Sequence, residues 1–463
     1  MEGETLRATV RCATGLAGPT IRVAGLPAGA RYDPWSGSLS WTPGLDQAAV
    51  YDLALEAGAC DLGTVRVGVA DKEDDPANVP IADPLRYPEE LGLPVMWVSF
   101  SGTPSKLVSL PAQVVYRGRT WSAQLKLHGV TSLDYPKNSY GLKFDRSDPF
   151  QEPAYGLDGR DKIRLTTTFD DNSYVRSRLT FALWNRLDAQ HIPMKAYNAV
   201  LYLNGHYHGL YLVSDDPDKG LLEIAGLSRE GNLYKAVSND ANFDLVDQFG
   251  QPKLALYQGY AKKEGVPLPP DPHAFDDLDE LVHFVASADA ESFKVGFPQR
   301  ARLADFQAWW MLVSFVQGED NVRKNYLLYR DAALAGPFRY IPWDLSGSFG
   351  QSYDTTRQAP RTLEYEWSNR LFARMLAEPS FGLRARYHQV LRGSWAQPDV
   401  LALYDGYVAE ITRSAERDEA KWGELYRTYQ GWSGRTDFRD FHGEAQYVRD
   451  WILEHHRLLA ARY

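Results

Sequence analysis

The stretch from Gly318 to Gly350 constrains this chain more than any other. It carries Asp320, then Asn325 five residues on, then Asp344, with two short apolar and aromatic runs between them. Those runs, Tyr326–Tyr329 and Phe338–Ile341, read as strands. Two strands joined by a turn bring Asp320 and Asp344 to the same mouth. Oxygen donors at such a mouth suit Mg²⁺, which takes hard oxygen ligands, usually one or two carboxylates completed by substrate phosphates. The spacing alone leaves two readings open, since Asp-x4-Asn is a common accident and Asp344 could cap a turn.

The rest of the chain limits the choice of class. At 463 residues, two or three domains are expected. The proportions of hydrophobic (44%) and charged (24%) residues are those of a soluble globular protein. A formal charge of −10 argues against a nucleic-acid backbone as partner. No run approaches 18 apolar residues, so no transmembrane helix is expected. The start, Met1-Glu-Gly-Glu, lacks the basic and apolar regions of a signal peptide. The two cysteines, Cys12 and Cys60, both fall near the N-terminus, where a disulfide and a pair of small buried thiols are alternative readings.

Residues 1–72 alternate with period two at Leu6/Ala8/Val10/Cys12, Tyr51/Leu53/Leu55 and Val65/Val67/Val69, the pattern of a β-sandwich. The segment from Gly25 to Pro43, with Tyr32-Asp-Pro-Trp35 and Gly37-Ser-Leu-Ser-Trp41, resembles immunoglobulin-like or cadherin-like repeats of bacterial surface proteins. That resemblance implies a spacer or adhesive module. Asp71–Pro80 is polar and broken by proline, so residues 73–89 read as a linker and 90–463 as a second domain.

In the second domain, 90–235 is strand-rich, with candidates at Val95–Phe100, Val114–Arg117, Trp121–His128 and Tyr140–Asp145. Asn204-Gly205 between two apolar runs marks a hairpin over Ala199–Val213. Asp170-Asp-Asn-Ser173 opens a helix over Tyr174–Leu187. Residues 236–272 read as an irregular insertion. From about 273 onward the pattern is helical, at Phe275–Ala286, Leu303–Gln317, Ser368–Pro379, Phe381–Gly393, Leu401–Leu425 and His442–Tyr463. In Leu303–Gln317, Phe306, Trp309, Trp310, Val313 and Val316 form a core stripe at helical spacing, and the helix delivers Asp320 from its end.

Asp320…Asn325-Tyr-Leu-Leu-Tyr-Arg with Ile-Pro-Trp-Asp344-Leu resembles the CotH (spore coat protein H) kinase family of atypical protein kinases. His128-Gly-Val-Thr-Ser132 before Tyr135-Pro-Lys137 is similar to the family's first motif, with His128 in place of its Arg. Arg176 matches a recurrent family Arg, and Ser346 stands where the family usually has a second acid. The resemblance implies an α+β chain in which the N-terminal sandwich precedes a bilobal kinase-like fold. It implies ATP and Mg²⁺ as cofactors and a Ser or Thr hydroxyl of a protein as acceptor. Asp320 would address that hydroxyl, Asn325 and Asp344 would hold metal, and Lys137, Lys143, Lys235, Arg323 and Lys324 would face nucleotide phosphates. Val213–Asp216 would be the hinge beside adenine. A cell-surface or secreted location is the corresponding expectation. Two alternatives remain open: adenylyl transfer or ATP-driven glutamylation on the same fold, and a non-catalytic surface or coat protein.

Overall fold

Period-two alternation near the N-terminus becomes two small antiparallel sheets. In the computed structural model, the described residues are 1–10, 21–57, 60–73, 75–78, 81, 83–331, 336–429 and 440–463. One sheet joins Leu6–Thr9, Ser38–Trp41 and Arg31–Asp33; the other joins Arg22–Ala24, Ala49–Ala57 and Cys60–Val69. Leu39, Trp41, Leu53, Leu55 and Val69 are buried, and the Trp41 indole donates to the Ala28 carbonyl at 3.1 Å. Cys12 lies outside the described residues, and so does any pairing of it with Cys60. Asp74, Val79 and Pro80 of the expected linker also lie outside them.

The chain divides into two compact units. The first comprises Met1–Lys126, Asn198–Tyr211 and Glu410–Lys421. Beyond the two sheets it holds Leu93–Phe100, paired antiparallel with Leu110–Tyr116 and, through Val95–Val98, parallel with Val200–Leu203. Its polar segment at 71–73 is fastened down. The Asp71 amide donates to Tyr87 Oη (2.9 Å), and Tyr87 and Tyr202 both donate to Glu90 Oε2 (2.9 and 2.8 Å). Arg417 pairs with that same carboxylate oxygen at 2.5 Å.

Asp71 has a less favourable setting. It is 2% exposed, and its Oδ1 has no hydrogen-bond partner. Burial, against the pull of Arg417, raises its pKa to about 7. Such a group binds its proton more tightly folded than unfolded. Its contribution is therefore most favourable below the unfolded pKa and is lost as pH rises through about 7. Asp71→Asn is expected to stabilise the protein at pH 8 by on the order of 1–3 kcal/mol, each pKa unit being about 1.4 kcal/mol. The gain should vanish near pH 4, as read by urea unfolding at both pH values.

The second unit comprises Leu127–Tyr197, Leu212–Ala409 and Trp422–Tyr463. Ser139–Phe144 pairs antiparallel with Lys162–Thr167, a strand the sequence pattern did not announce. A four-stranded antiparallel sheet runs Tyr260–Glu264, Asn232–Ala236, Tyr326–Arg330, Arg339–Pro342. The expected insertion at 236–272 thus contributes a strand. Leu303–Val316 is buried from Asp305 onward, its few polar residues Asp305, Gln307 and Ser314 included, as befits a helix that is mostly apolar all round. Trp309 and Trp310 are core, in line with the helical stripe. Helices Arg176–Asn185, Asp276–Ser287, Arg370–Ala377, Leu383–Arg392 and Phe441–Arg462 fall where periodicity placed them, as does Gln397–Thr428 in the chain. Ala290–Arg300, with Pro298 inside it, is a helix that periodicity did not reveal. The chain is a mixed α+β protein.

Candidate active site

The site grows from the end of one strand pair. Tyr326 lies opposite Pro342 and Leu327 opposite Ile341, so the residues before the first strand and after the second meet at one sheet end. Those residues are Asn325 and Trp343-Asp344. Beneath them Leu233, Leu327, Ile341, Trp343 and Leu345 share one buried cluster. The buried helix stops at Gln317, which takes a left-handed φ of 53°, and a single 3-10 turn over Glu319–Asn321 carries Asp320 to the same end.

One side chain that the sequence reading passed over holds this arrangement together. Asn321 is fully buried, and its Nδ2 lies within hydrogen-bond distance of three carbonyls: Asn325 (3.1 Å), Trp343 (2.8 Å) and Asp344 (3.0 Å). The Asn321 carbonyl in turn accepts from the Trp309 indole at 2.9 Å. Asn369 Nδ2 donates to the Val322 carbonyl (2.6 Å), and the Asn325 amide donates to Ala236 (3.1 Å). The loop of Asp320 and the turn of Asp344 are therefore tied by a single amide. Asn321→Asp would aim carboxylate oxygens at three carbonyl oxygens. It is expected to cost about 3 kcal/mol or more, a buried charge left without a donor being among the most destabilising changes. Thermal unfolding together with nucleotide titration checks this.

Asn325 and Asp344 both have left-handed backbones, φ 57° and 56°. Asn and Asp tolerate this region better than most residues, and such conformations gather at functional sites. Asp320 accepts from Asn325 Nδ2 on Oδ2 (2.6 Å) and pairs with Lys324 through Oδ1 (2.8 Å). Asp344 is exposed, with protein atoms packed around it. That surrounding raises its pKa; Lys235 pulls it down and Asp320 pushes it up. Lys235, one strand away, has a pKa lowered by burial and drawn back up by Asp344. Half-buried Asp170 is raised to about 7 by burial and then by the charge of Asp344.

A basic and aromatic wall centres on Trp343. Lys235 Nζ lies 5.6 Å and the Arg164 guanidinium 5.9 Å from its ring, and His128 stands edge-on at 6.0 Å. Arg164 and Lys162 converge on buried Asp216, the latter at 2.6 Å. Burial, then the Arg164 charge, depresses His128 to a pKa of about 2, so it is neutral. In the expected hinge, Val213, Ser214 and Asp215 end a strand, and Asp215 is taken by Arg160 (2.5 Å) and the Lys195 amide (2.6 Å).

Among the other expected phosphate residues, Lys143 is exposed and pairs across strands with Lys162. Arg323 is half-buried beside this loop. Lys137 is in a different setting: it is wholly buried, 3.2 Å from Tyr426 Oη and between the rings of Tyr174 and Tyr426. Arg164 and Asn321 carried no sequence signal beyond residue type, and Asp216, the last residue of the expected hinge, is taken by Arg164 and Lys162.

The donor set fits a divalent cation and phosphates. Asp344 and Asp320 repel one another, Asp170 adds to the negative charge, and Lys235 faces Asp344. Among the described residues no group of three His, Cys, Asp or Glu side chains forms a metal site. Asn325, Asp344 and substrate oxygens would have to complete the shell, as is usual for Mg²⁺.

A family model described as CotH kinase protein matches residues 125–459. The inner spore coat protein H of Bacillus subtilis (strain 168) is 26% identical over 307 residues, covering 64% of this chain and 79% of that protein.

Proposed function

The chain belongs to the CotH kinase family, and from that premise we propose that it is an ATP- and Mg²⁺-dependent phosphotransferase acting on Ser or Thr hydroxyls of a protein. One observation carries the reading: Asn321 holds the Asp320 loop and the Asp344 turn at one sheet end, with Lys235 facing Asp344. Asp344 and Asn325 would hold the metal. Mg²⁺, when bound, neutralises phosphate charge and orients the transferred group.

Asp320 takes the acceptor proton as the oxygen–phosphorus bond forms and the bond to the ADP oxygen breaks. Lys324 beside it holds the Asp320 carboxylate in place at 2.8 Å. Lys235, with Lys143 and Arg323, would meet the phosphates, and Trp343 would give them a rigid wall. Lys137 acts by fixing the aromatic cluster around it rather than by touching substrate. Such a site works by positioning and electrostatics, since phosphoryl transfer needs little covalent help from the protein. The two lobes of a kinase-like fold would be the strand-rich and helical parts of residues 90–463. The N-terminal sheets would form an immunoglobulin-like spacer at a coat or cell-surface location.

A second reading is a structural coat protein without turnover, favoured by the name of the Bacillus relative. Incubation with ATP labelled at the γ or the α position separates the cases. Mg²⁺-dependent transfer of the γ label to protein is expected. Transfer of the α label would mean adenylylation, and transfer of neither would leave the structural reading.

A further inference from the structure

Gly141 lies opposite Arg164 and Lys143 opposite Lys162, so these four residues share one face of their strand pair. Leu142, Phe144, Ile163 and Leu165 take the other face and are buried. The shared face is basic, yet Arg164 on it is only 6% exposed. Gly141 makes room for the guanidinium. A Cβ at Gly141 would lie 2.8 Å from Arg164 Nη1, and its φ is not left-handed, so this glycine supplies space rather than a special conformation. The guanidinium comes within 5.9 Å of the Trp343 ring, where Lys235 Nζ lies at 5.6 Å and the His128 ring at 6.0 Å.

Arg164 and Lys162 share a single carboxylate oxygen, Asp216 Oδ2, with Lys162 at 2.6 Å. Arg164 Nε is buried and has no hydrogen-bond partner among the described residues. A buried donor without an acceptor is rare in folded proteins, and a bound anion would satisfy it. The neighbours of Arg164 reach solvent: Lys143 is exposed, and Lys162, Lys235 and His128 are half-buried. A guanidinium matches phosphate oxygens in geometry, offering paired N–H donors in a fixed fork. Resting on the phosphotransferase reading, we propose that Arg164 is a binding residue for the phosphates of the nucleotide, meeting them beside Lys235 at the Trp343 ring. Gly141 and Asp216 position it, one by leaving space and the other by pairing with its far end.

The test is calorimetric titration of the full-length protein in Mg²⁺ with two probes, ADP and inorganic pyrophosphate. Wild type is compared with Arg164→Met and Gly141→Ala. Both probes are expected to bind the wild type and to bind Arg164→Met about tenfold or more weakly, the size of one hydrogen bond to a charged group. Gly141→Ala keeps every charge and should weaken both probes less, in the same direction, because its methyl displaces the guanidinium. Equal affinities in wild type and Arg164→Met overturn the inference and leave the phosphotransferase reading standing. Loss of ADP affinity with pyrophosphate affinity unmoved also overturns it, since Arg164 would then act on the fold and not on phosphate. Absence of binding of both probes by the wild type overturns it as well. If pyrophosphate binds and depends on Arg164 while ADP never binds, the anion site stands and the kinase reading falls. Should circular dichroism show Arg164→Met unfolded, Gly141→Ala decides: unchanged pyrophosphate affinity overturns the proposal.

Discussion

Asp344→Ala is expected to abolish Mg²⁺-dependent ATP binding and turnover together, whereas Asp320→Asn should cut turnover with little change in ATP affinity. The difference follows from their settings. Burial raises the pKa of Asp344, and the charge of Lys235 pulls it back down. Losing Asp344 removes the carboxylate on which a cation and phosphates would assemble. Asp320 is held by Lys324 at 2.8 Å and Asn325 at 2.6 Å and is proposed to face the acceptor. General-base catalysis contributes about 10²–10⁴-fold, so the loss in Asp320→Asn should reach that range. Calorimetric titration of ATP with and without Mg²⁺, beside the labelled-ATP assay, reads both effects. If both variants bind and turn over like wild type, neither residue belongs to the site. If Asp344→Ala loses activity and Asp320→Asn keeps it, adenylyl transfer or ligation becomes the better account.

Arg176→Met should be the most destabilising single change in the second unit. The guanidinium is wholly buried, with Asp171 at 2.5 Å, Glu444 at 2.8 Å and the Ser348 carbonyl at 2.9 Å. The paired charges push its pKa above the ordinary value, so it stays ionised. Removing it leaves buried Asp171 without its cation and leaves Glu444 to Arg357 at 3.1 Å. Breaking a buried pair in this way costs about 3–5 kcal/mol. Denaturant unfolding should show a loss of that size. Adding Asp171→Asn to Arg176→Met should recover part of it, because the uncompensated Asp171 charge is then gone. A loss below about 1 kcal/mol would show the network to be of little consequence. Because Ser348 belongs to the turn of Asp344, Arg176→Met should also weaken Mg²⁺-dependent ATP binding in whatever fraction stays folded.

Several features were legible in the residues alone, for local reasons. Apolar and aromatic runs at Tyr326–Tyr329 and Phe338–Ile341 marked the strands found at Tyr326–Arg330 and Arg339–Pro342, and their pairing brings Asp320, Asn325 and Asp344 to one end. These residues lie close in sequence and flank the same two strands, so short-range pattern sufficed. The stripe Phe306, Trp309, Trp310, Val313 and Val316 identified the helix found at Leu303–Val316 and its core face for the same reason. Asn204-Gly205 marked its turn because both residues accept positive φ, here 50° and 87°.

Tertiary structure alone decided which charges are free and which are consumed. Lys137 and Lys235 look alike in sequence. One is wholly buried against Tyr426, and the other faces Asp344. Asp170 reads locally as a helix cap, yet it meets Ser346 across 176 positions. Arg176 reaches Glu444 across 268. Periodicity records which face of an element is apolar. It carries no record of which distant side chain waits opposite a polar one, because that partner is set by how element ends converge once the core has packed.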